Sequence, residues 1–188
     1  MTDREEHLIA DLSRAGIARR EAEAALGIDA ILQRWRRRVQ KRELGRQALS
    51  DLRLDLDLAQ LDVLFAVWAP SNEFGDDTES ETMVGTVARR LDIDPSRASR
   101  ITADLIRMGL IRRAVSQRDA RRAVLEVTEQ GDQIARAVRR YKFLRLGNYL
   151  KSWTDEELAR FLPLLERFSA WSEDSANPAG QIAAEIAT

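Results

Sequence analysis

Residues 84–131 carry the strongest constraint on what this chain can fold into, because their periodicity and punctuation change in a fixed order. A short helical pattern runs from Met83 to Leu91, and Asp92-Ile93-Asp94 then turns the chain. Asp94 is placed to cap a second helix, with Pro95 at its first position, where the fixed φ of proline is already helical. Ala98, Ile101, Leu105 and Met108 recur at spacings of three and four, so they form the inward face. Gly109 follows as a left-handed C-cap. Residues 110–115 and 123–127 then alternate as strands do, on either side of a polar turn at residues 116–122. Thr128 begins another helix, with Gly131 early in it. The order helix, turn, helix, strand, turn, strand, helix predicts a mainly α fold with a small two- or three-stranded β wing, a winged helix-turn-helix.

Charge separates this run from the rest of the chain. Residues 85–122 hold ten Arg and four Asp, about +6, in a protein whose net charge is −1. Positive charge concentrated on one helix and its adjoining hairpin is the electrostatic footprint of a DNA-binding surface. The wide major groove of DNA admits a helix, and a neighbouring hairpin can place an arginine against the minor groove.

The remaining composition excludes other classes. With no Cys there is no disulfide, thiolate metal site or thiol switch, and one His leaves no multi-histidine metal site within one chain. No cofactor is implied. No apolar run approaches the length of a membrane span, and the acidic N-terminus lacks a signal-peptide core, so a cytoplasmic location is expected. No nucleophile–base pair, glycine-rich phosphate loop or metal cluster appears, so the chain does not read as an enzyme.

Helices are expected on both sides of the wing region. Residues 2–27 read as two short helical pieces, with Gly27 placed to end the second. Ile31, Leu32, Trp35, Val39 and Leu44 then fall at helical spacing over about residues 29–49, with Arg34, Arg36, Arg37, Arg38 and Arg42 on the other faces. Those arginines read as a solvated face or as secondary phosphate contacts. Residues 52–57, LRLDLD, read as a short strand or an extended linker, and Asp57 as the N-cap of a helix over residues 58–68. Leu61, Leu64, Phe65 and Trp68 form the core stripe of that helix. The acidic stretch 69–81 reads as a loop that lies away from DNA or is mobile, a tolerated insertion rather than a functional loop. After the wing, a helix is expected over about residues 129–151, and Thr154 with Glu157 makes a capping box for a last helix bearing Leu158, Phe161, Leu162, Leu165, Phe168 and Trp171.

The run also resembles the MarR-type transcriptional regulators. The matching stretches are Val87-Ala88-Arg89-Arg90-Leu91, residues 94–100 (DPSRASR), residues 105–113 (LIRMGLIRR) and residues 119–131 (DARRAVLEVTEQG). The family's wing signature, an Asp and an Arg two apart followed by apolar residues and Thr-x-x-Gly, is present at Asp119, Arg121, Thr128 and Gly131. These stretches span about a quarter of the chain, and the order of helices extends the resemblance over roughly residues 30–172. The resemblance implies a homodimer with N- and C-terminal dimerisation helices, presenting two recognition helices to a pseudopalindromic operator on double-stranded DNA. It divides the chain into an N-terminal helical extension (1–28), dimerisation helices (29–57 and 129–172), the winged helix DNA-binding domain (58–128) and a tail (173–188).

The DNA contacts implied are Ser96, Arg97, Ser99 and Arg100 on the recognition helix, and Arg113, Arg118, Asp119 and Arg121 at the wing. Arg121 would be the wing arginine, and Asp119 would orient it or pair with a neighbouring arginine. The same resemblance implies a repressor relieved by a small aromatic or carboxylate effector, in a crevice that Trp35, Arg38, Leu64, Trp68 and Tyr141 would line. Against this, the four tryptophans also read as core or interface packing. A winged helix serving only as a protein-interaction module, without a specific operator, is the competing function. The acidic loop and the N-terminal extension depart from the family's pattern.

Overall fold

The computed structural model describes residues 2–69, 81–171 and 182, and the expectations for the acidic stretch and the tail fall mostly outside them. The described helices are α1 (Asp3–Arg14), α2 (Arg19–Gln40), α3 (Glu43–Asp51), α4 (Leu58–Trp68), α5 (Val84–Leu91), α6 (Pro95–Arg107), α7 (Glu129–Leu150) and α8 (Asp155–Ser169). Strands β1 (Ile111–Val115) and β2 (Ala123–Val127) lie between α6 and α7. They form one antiparallel hairpin in which Ile111 pairs with Val127, Arg113 with Leu125 and Val115 with Ala123. A single bond from the Leu125 N–H to the Thr82 carbonyl, 2.7 Å, adds residues 81–83 along its edge.

The winged-helix core forms where α4 packs against α5, α6 and β2. Val63, Leu64 and Ala66 of α4 meet Val87, Ala98, Leu105, Leu110, Ile111 and Leu125 in one buried cluster. Removing a side chain the size of Leu64 or Leu105 from water stabilises the fold by about 1.5–3 kcal/mol each. Asp57 caps α4 in a reciprocal box, its carboxylate accepting from the Gln60 N–H while the Gln60 side chain accepts from the Asp57 N–H. Asp94 and Pro95 begin α6 as the sequence predicts. Gly109 takes φ +73, a conformation that a Cβ would strain.

Gly131 has a different reason to be glycine. A Cβ there would stand 2.0 Å from the Leu110 carbonyl oxygen. Thr128 makes that close approach: its hydroxyl lies 2.6 Å from the Gly109 carbonyl and accepts the Gly131 N–H at 3.1 Å. The Thr-x-x-Gly spacing therefore docks the start of α7 onto the turn that joins α6 to β1.

Two expectations for the N-terminal half are corrected, and a third, left between two alternatives, is decided. Gly27 does not end a helix, since α2 passes through it without interruption. The boundary drawn at residues 28/29 thus falls inside one helix. The pattern over residues 29–49 is not one helix either: Lys41 and Arg42 break it, and Arg42 adopts a left-handed conformation at φ 52. The Arg42 side chain then reaches the Leu58 carbonyl and pairs with Asp62 on α4. Burial pushes the Asp62 carboxyl above its usual range, although Arg42 opposes the shift. Residues 52–57 form a turn and an irregular segment, not a strand.

The chain divides into two compact units, Met1–Lys142 and Phe143–Thr188. In the first, α1 packs on α2, and α3 joins a small cluster of Ala48, Leu49, Leu61 and Val138. In the second, α7 ends in a short turn and the Thr154–Glu157 capping box starts α8. Trp153 holds that turn with edge-to-face contacts to Tyr149 and Phe161, at centroid distances of 6.2 and 5.0 Å. Pro163 lies inside α8, a position the sequence reading did not mark.

Candidate nucleic-acid interface

The first turn of α6 is built by Asp94. Its carboxylate accepts from the backbone N–H groups of Ser96 and Arg97, at 2.8 and 3.2 Å, and from the Ser96 hydroxyl. These bonds hold the Asp94 carboxyl below its usual range, with the Ser96 hydroxyl the main cause. Ala98, Thr102 and Leu105 anchor the helix in the core, while Ser96, Arg97, Ser99 and Arg100 are exposed on its other faces. The Ser96 hydroxyl is committed to its cap; Arg97 and Arg100 form no ion pair with a described carboxylate.

At the hairpin the arginines divide into two sets. Arg112 pairs with Glu126 across the strands at 2.8 Å, and Arg122 pairs with Asp119 at 3.3 Å. Arg113 and Arg121 form no ion pair among the described residues and are exposed, as is Arg118. Asp119 also accepts the Arg121 N–H at 3.0 Å. Its carboxylate thus shapes the turn through the Arg121 backbone and holds Arg122, leaving the Arg121 guanidinium outside the pair. Ion pairs this exposed contribute little stability, but they decide which guanidiniums remain open to an external anion.

Three residues at or behind this hairpin are not marked in the sequence. Glu81 was grouped with the acidic stretch, yet its carboxylate accepts the Ser116 hydroxyl at 2.6 Å and the Gln117 N–H at 2.9 Å. Those bonds, the Ser116 hydroxyl foremost, hold the Glu81 carboxyl below its usual range. Ser116 is 4 % exposed and accepts the N–H groups of Arg118 and Asp119. Arg90, given no role of its own in sequence, donates to the Ala66 carbonyl and the Thr82 hydroxyl, both at 2.7 Å. No short-range signal marks the contacts of Glu81 and Arg90, because their partners lie 8 to 36 positions away.

The residues named for an effector crevice are dispersed in their roles. Leu64 is fully buried in the core, where a ligand would have to displace packed side chains. Trp68 is half-buried; its indole N–H donates to Asp132 at 2.8 Å and lowers that carboxyl's pKa. Arg139 lies over the Trp68 ring, 5.6 Å from its centroid. The Tyr141 hydroxyl donates to Asp51. Trp35 and Arg38 are exposed on α2, Trp35 at 63 %. No group of three or more metal-binding side chains occurs among the described residues. None of the described helices is long and apolar enough to cross a membrane.

An exposed helix start and hairpin, each carrying open guanidiniums, can bind phosphate oxygens and reach base edges. No protein-family model and no curated protein sequence matches the chain. Solved structures do match. A MarR family protein from Bacillus stearothermophilus aligns at 20% identity over 81% of this chain and 97% of its own, with a TM-score of 0.63. A point mutant of S. aureus MepR bound to an oligodeoxyribonucleotide aligns at 20% identity, covering 75% of this chain and 95% of that one, TM-score 0.53. S. aureus MepR bound to ethidium bromide aligns at 19% identity over 72% and 93% of the two chains, TM-score 0.54. From the core of α4, α5 and α6 to the hairpin and the glycine-docked α7, this chain has the fold of the MarR family.

Proposed function

We propose that the protein is a homodimeric, sequence-specific DNA-binding transcription regulator of the MarR type, acting as a repressor that a small molecule relieves. The observation that carries the reading is the pair of open arginine sets, Arg97 and Arg100 on α6 and Arg113 and Arg121 on the hairpin, fixed on one packed core. Arg100 and Arg97 would enter the major groove, with Ser99 beside them, while Arg121 reaches the minor groove and Arg113 and Arg118 meet phosphate. Ser96 and Asp119 would serve mainly by holding the helix start and the wing turn.

Homodimerisation is supported by apolar side chains exposed on the flanking helices. Ile28, Ile31, Trp35 and Val39 of α2 are exposed, and so are Phe161, Leu162 and Leu165 of α8. The oligonucleotide complex of a protein with the same fold supports a duplex as partner, and the ethidium complex supports an aromatic effector. In this chain Trp68 with Arg139, and the exposed Trp35 with Arg38, are the aromatic and cationic groups that would meet such a molecule.

Fluorescence anisotropy against the DNA upstream of its own coding sequence, and against scrambled DNA, tests the reading across a salt series. Tight binding to the upstream DNA that persists at physiological salt supports a regulator of its own gene. Affinity should fall steeply with salt, because phosphate contacts release counterions. Equal and salt-labile binding to both, together with no sequence recovered from a random pool, would overturn it in favour of a protein-interaction module. Benzoate, an aromatic carboxylate that does not intercalate, added to the complex then tests for effector release.

A further inference from the structure

We propose that Glu81 is a positioning residue for DNA binding, acting through Ser116 to hold the wing turn in the shape that aims Arg121. The inference rests on the DNA-binding reading above. A carboxylate at this place is electrostatically unfavourable for that function, since it stands on a hairpin bearing Arg112, Arg113, Arg118, Arg121 and Arg122 and would repel phosphate. What it provides is geometry. One oxygen accepts a hydrogen bond from the Ser116 hydroxyl at 2.6 Å and the other from the Gln117 N–H at 2.9 Å.

Ser116 passes the constraint on. A hydroxyl has one donor and two acceptor sites, and all are in use: it donates to Glu81 and accepts from Arg118 N–H at 3.1 Å and Asp119 N–H at 3.0 Å. The Ser116 N–H itself bonds the Arg122 carbonyl across the turn. The backbone N–H groups of Gln117, Arg118 and Asp119 therefore all end on the Glu81–Ser116 pair. Asp119 in turn sets the Arg121 backbone. Glu81 is itself fixed, because the adjoining Thr82 bonds Leu125 through its carbonyl and Arg90 through its hydroxyl. The wing turn is thus referenced to α4 and α5 by a chain of hydrogen bonds, independently of the strand pairing.

The sign of one substitution separates geometry from charge. If Glu81 contributed only its charge, Glu81→Ala would tighten DNA binding. Positioning requires it to weaken binding, by about tenfold. Glu81→Gln keeps carbonyl acceptance toward Ser116 or Gln117 and should recover most of that loss. In double variants on a duplex selected from a random-sequence pool, Glu81→Ala should add less than about twofold to Arg121→Ala, while multiplying in full with Arg100→Ala. Amide hydrogen exchange of Gln117, Arg118 and Asp119 in the full-length protein should quicken in Glu81→Ala whether or not DNA is present. Binding by Glu81→Ala equal to or tighter than wild type, full multiplication with Arg121→Ala, or unchanged amide exchange would overturn the inference. Wild-type protein that binds no selected duplex would instead sink the DNA-binding reading, and the exchange data would still decide whether Glu81 orders the turn.

Discussion

Between residues 58 and 128 the described apolar side chains point inward, and Val115 is the one large apolar residue among them that is strongly exposed. The flanking helices show the reverse. Leu8, Ile17, Ile28, Ile31, Trp35 and Val39 are exposed before the lobe, and Phe143, Leu144, Leu146, Tyr149, Leu162 and Leu165 after it. The lobe packs its core within one chain, and Arg97, Arg100, Arg113 and Arg121 are exposed on it with no ion pair among the described residues. The flanks still carry apolar surface that a single chain does not cover. Under the proposed function, the apolar exposure is what a second copy would cover and the open arginines are what phosphate would meet.

The contrast breaks most visibly at the flanks. Wild-type protein should show about twice the single-chain mass of 21.4 kDa by light scattering. Trp35→Asp combined with Leu165→Asp should return it to the single-chain mass, since each buries a carboxylate in apolar surroundings at a cost of several kcal/mol. A wild-type monomer would remove the dimer from the account and leave the exposed apolar residues unexplained.

Inside the lobe the largest effect should come from one methyl group. Gly131→Ala places a Cβ against the Leu110 carbonyl and should cost about 3 kcal/mol, read as a lower melting temperature. An unchanged melt would mean that α7 is not docked as described.

Of these features, the lobe was the more legible in sequence. Its elements are specified locally, by Asp94-Pro95, by Gly109 and by two short apolar runs on either side of a polar turn, so the order and the boundaries agree with the structure to within a residue or two. The flanks are less legible because helical periodicity continues across Gly27, while the break at Lys41 and Arg42 goes with a pair of Arg42 and Asp62 that lie 20 positions apart. The same limit applies to the interface. Arg97, Arg100 and Arg121 enter as candidates through the family resemblance of the stretches around them. Glu81 and Ser116 do not, because their meaning lies in a contact across 35 positions.

A smaller effect should separate open from paired arginines. Arg100→Ala and Arg121→Ala should each weaken duplex binding by about 1–3 kcal/mol. Arg112→Ala, whose guanidinium is held by Glu126, should lose less. Equal losses at all three positions would erase the distinction drawn between the two sets.

Acid should produce the mildest change. The Asp94 and Glu81 carboxyls are lowered by their hydrogen bonds, so their contribution is present above the unfolded carboxylate range, about pH 4, and is lost as pH falls through the folded values. Helix content and wing-amide protection should therefore hold steady from about pH 8 to 5 and decline only below about pH 4. Loss of wing protection near pH 6 would point to a different titrating group.

Hydroxyl-radical footprinting of the full-length protein on its selected duplex tests the central claim most directly, because it reads the DNA face and the flanks together. Two symmetric protected half-sites, about one helical turn or a multiple of it apart, are predicted for two lobes joined through their flanking helices. A single unsymmetric patch, or uniform weak protection that follows no sequence, would contradict it.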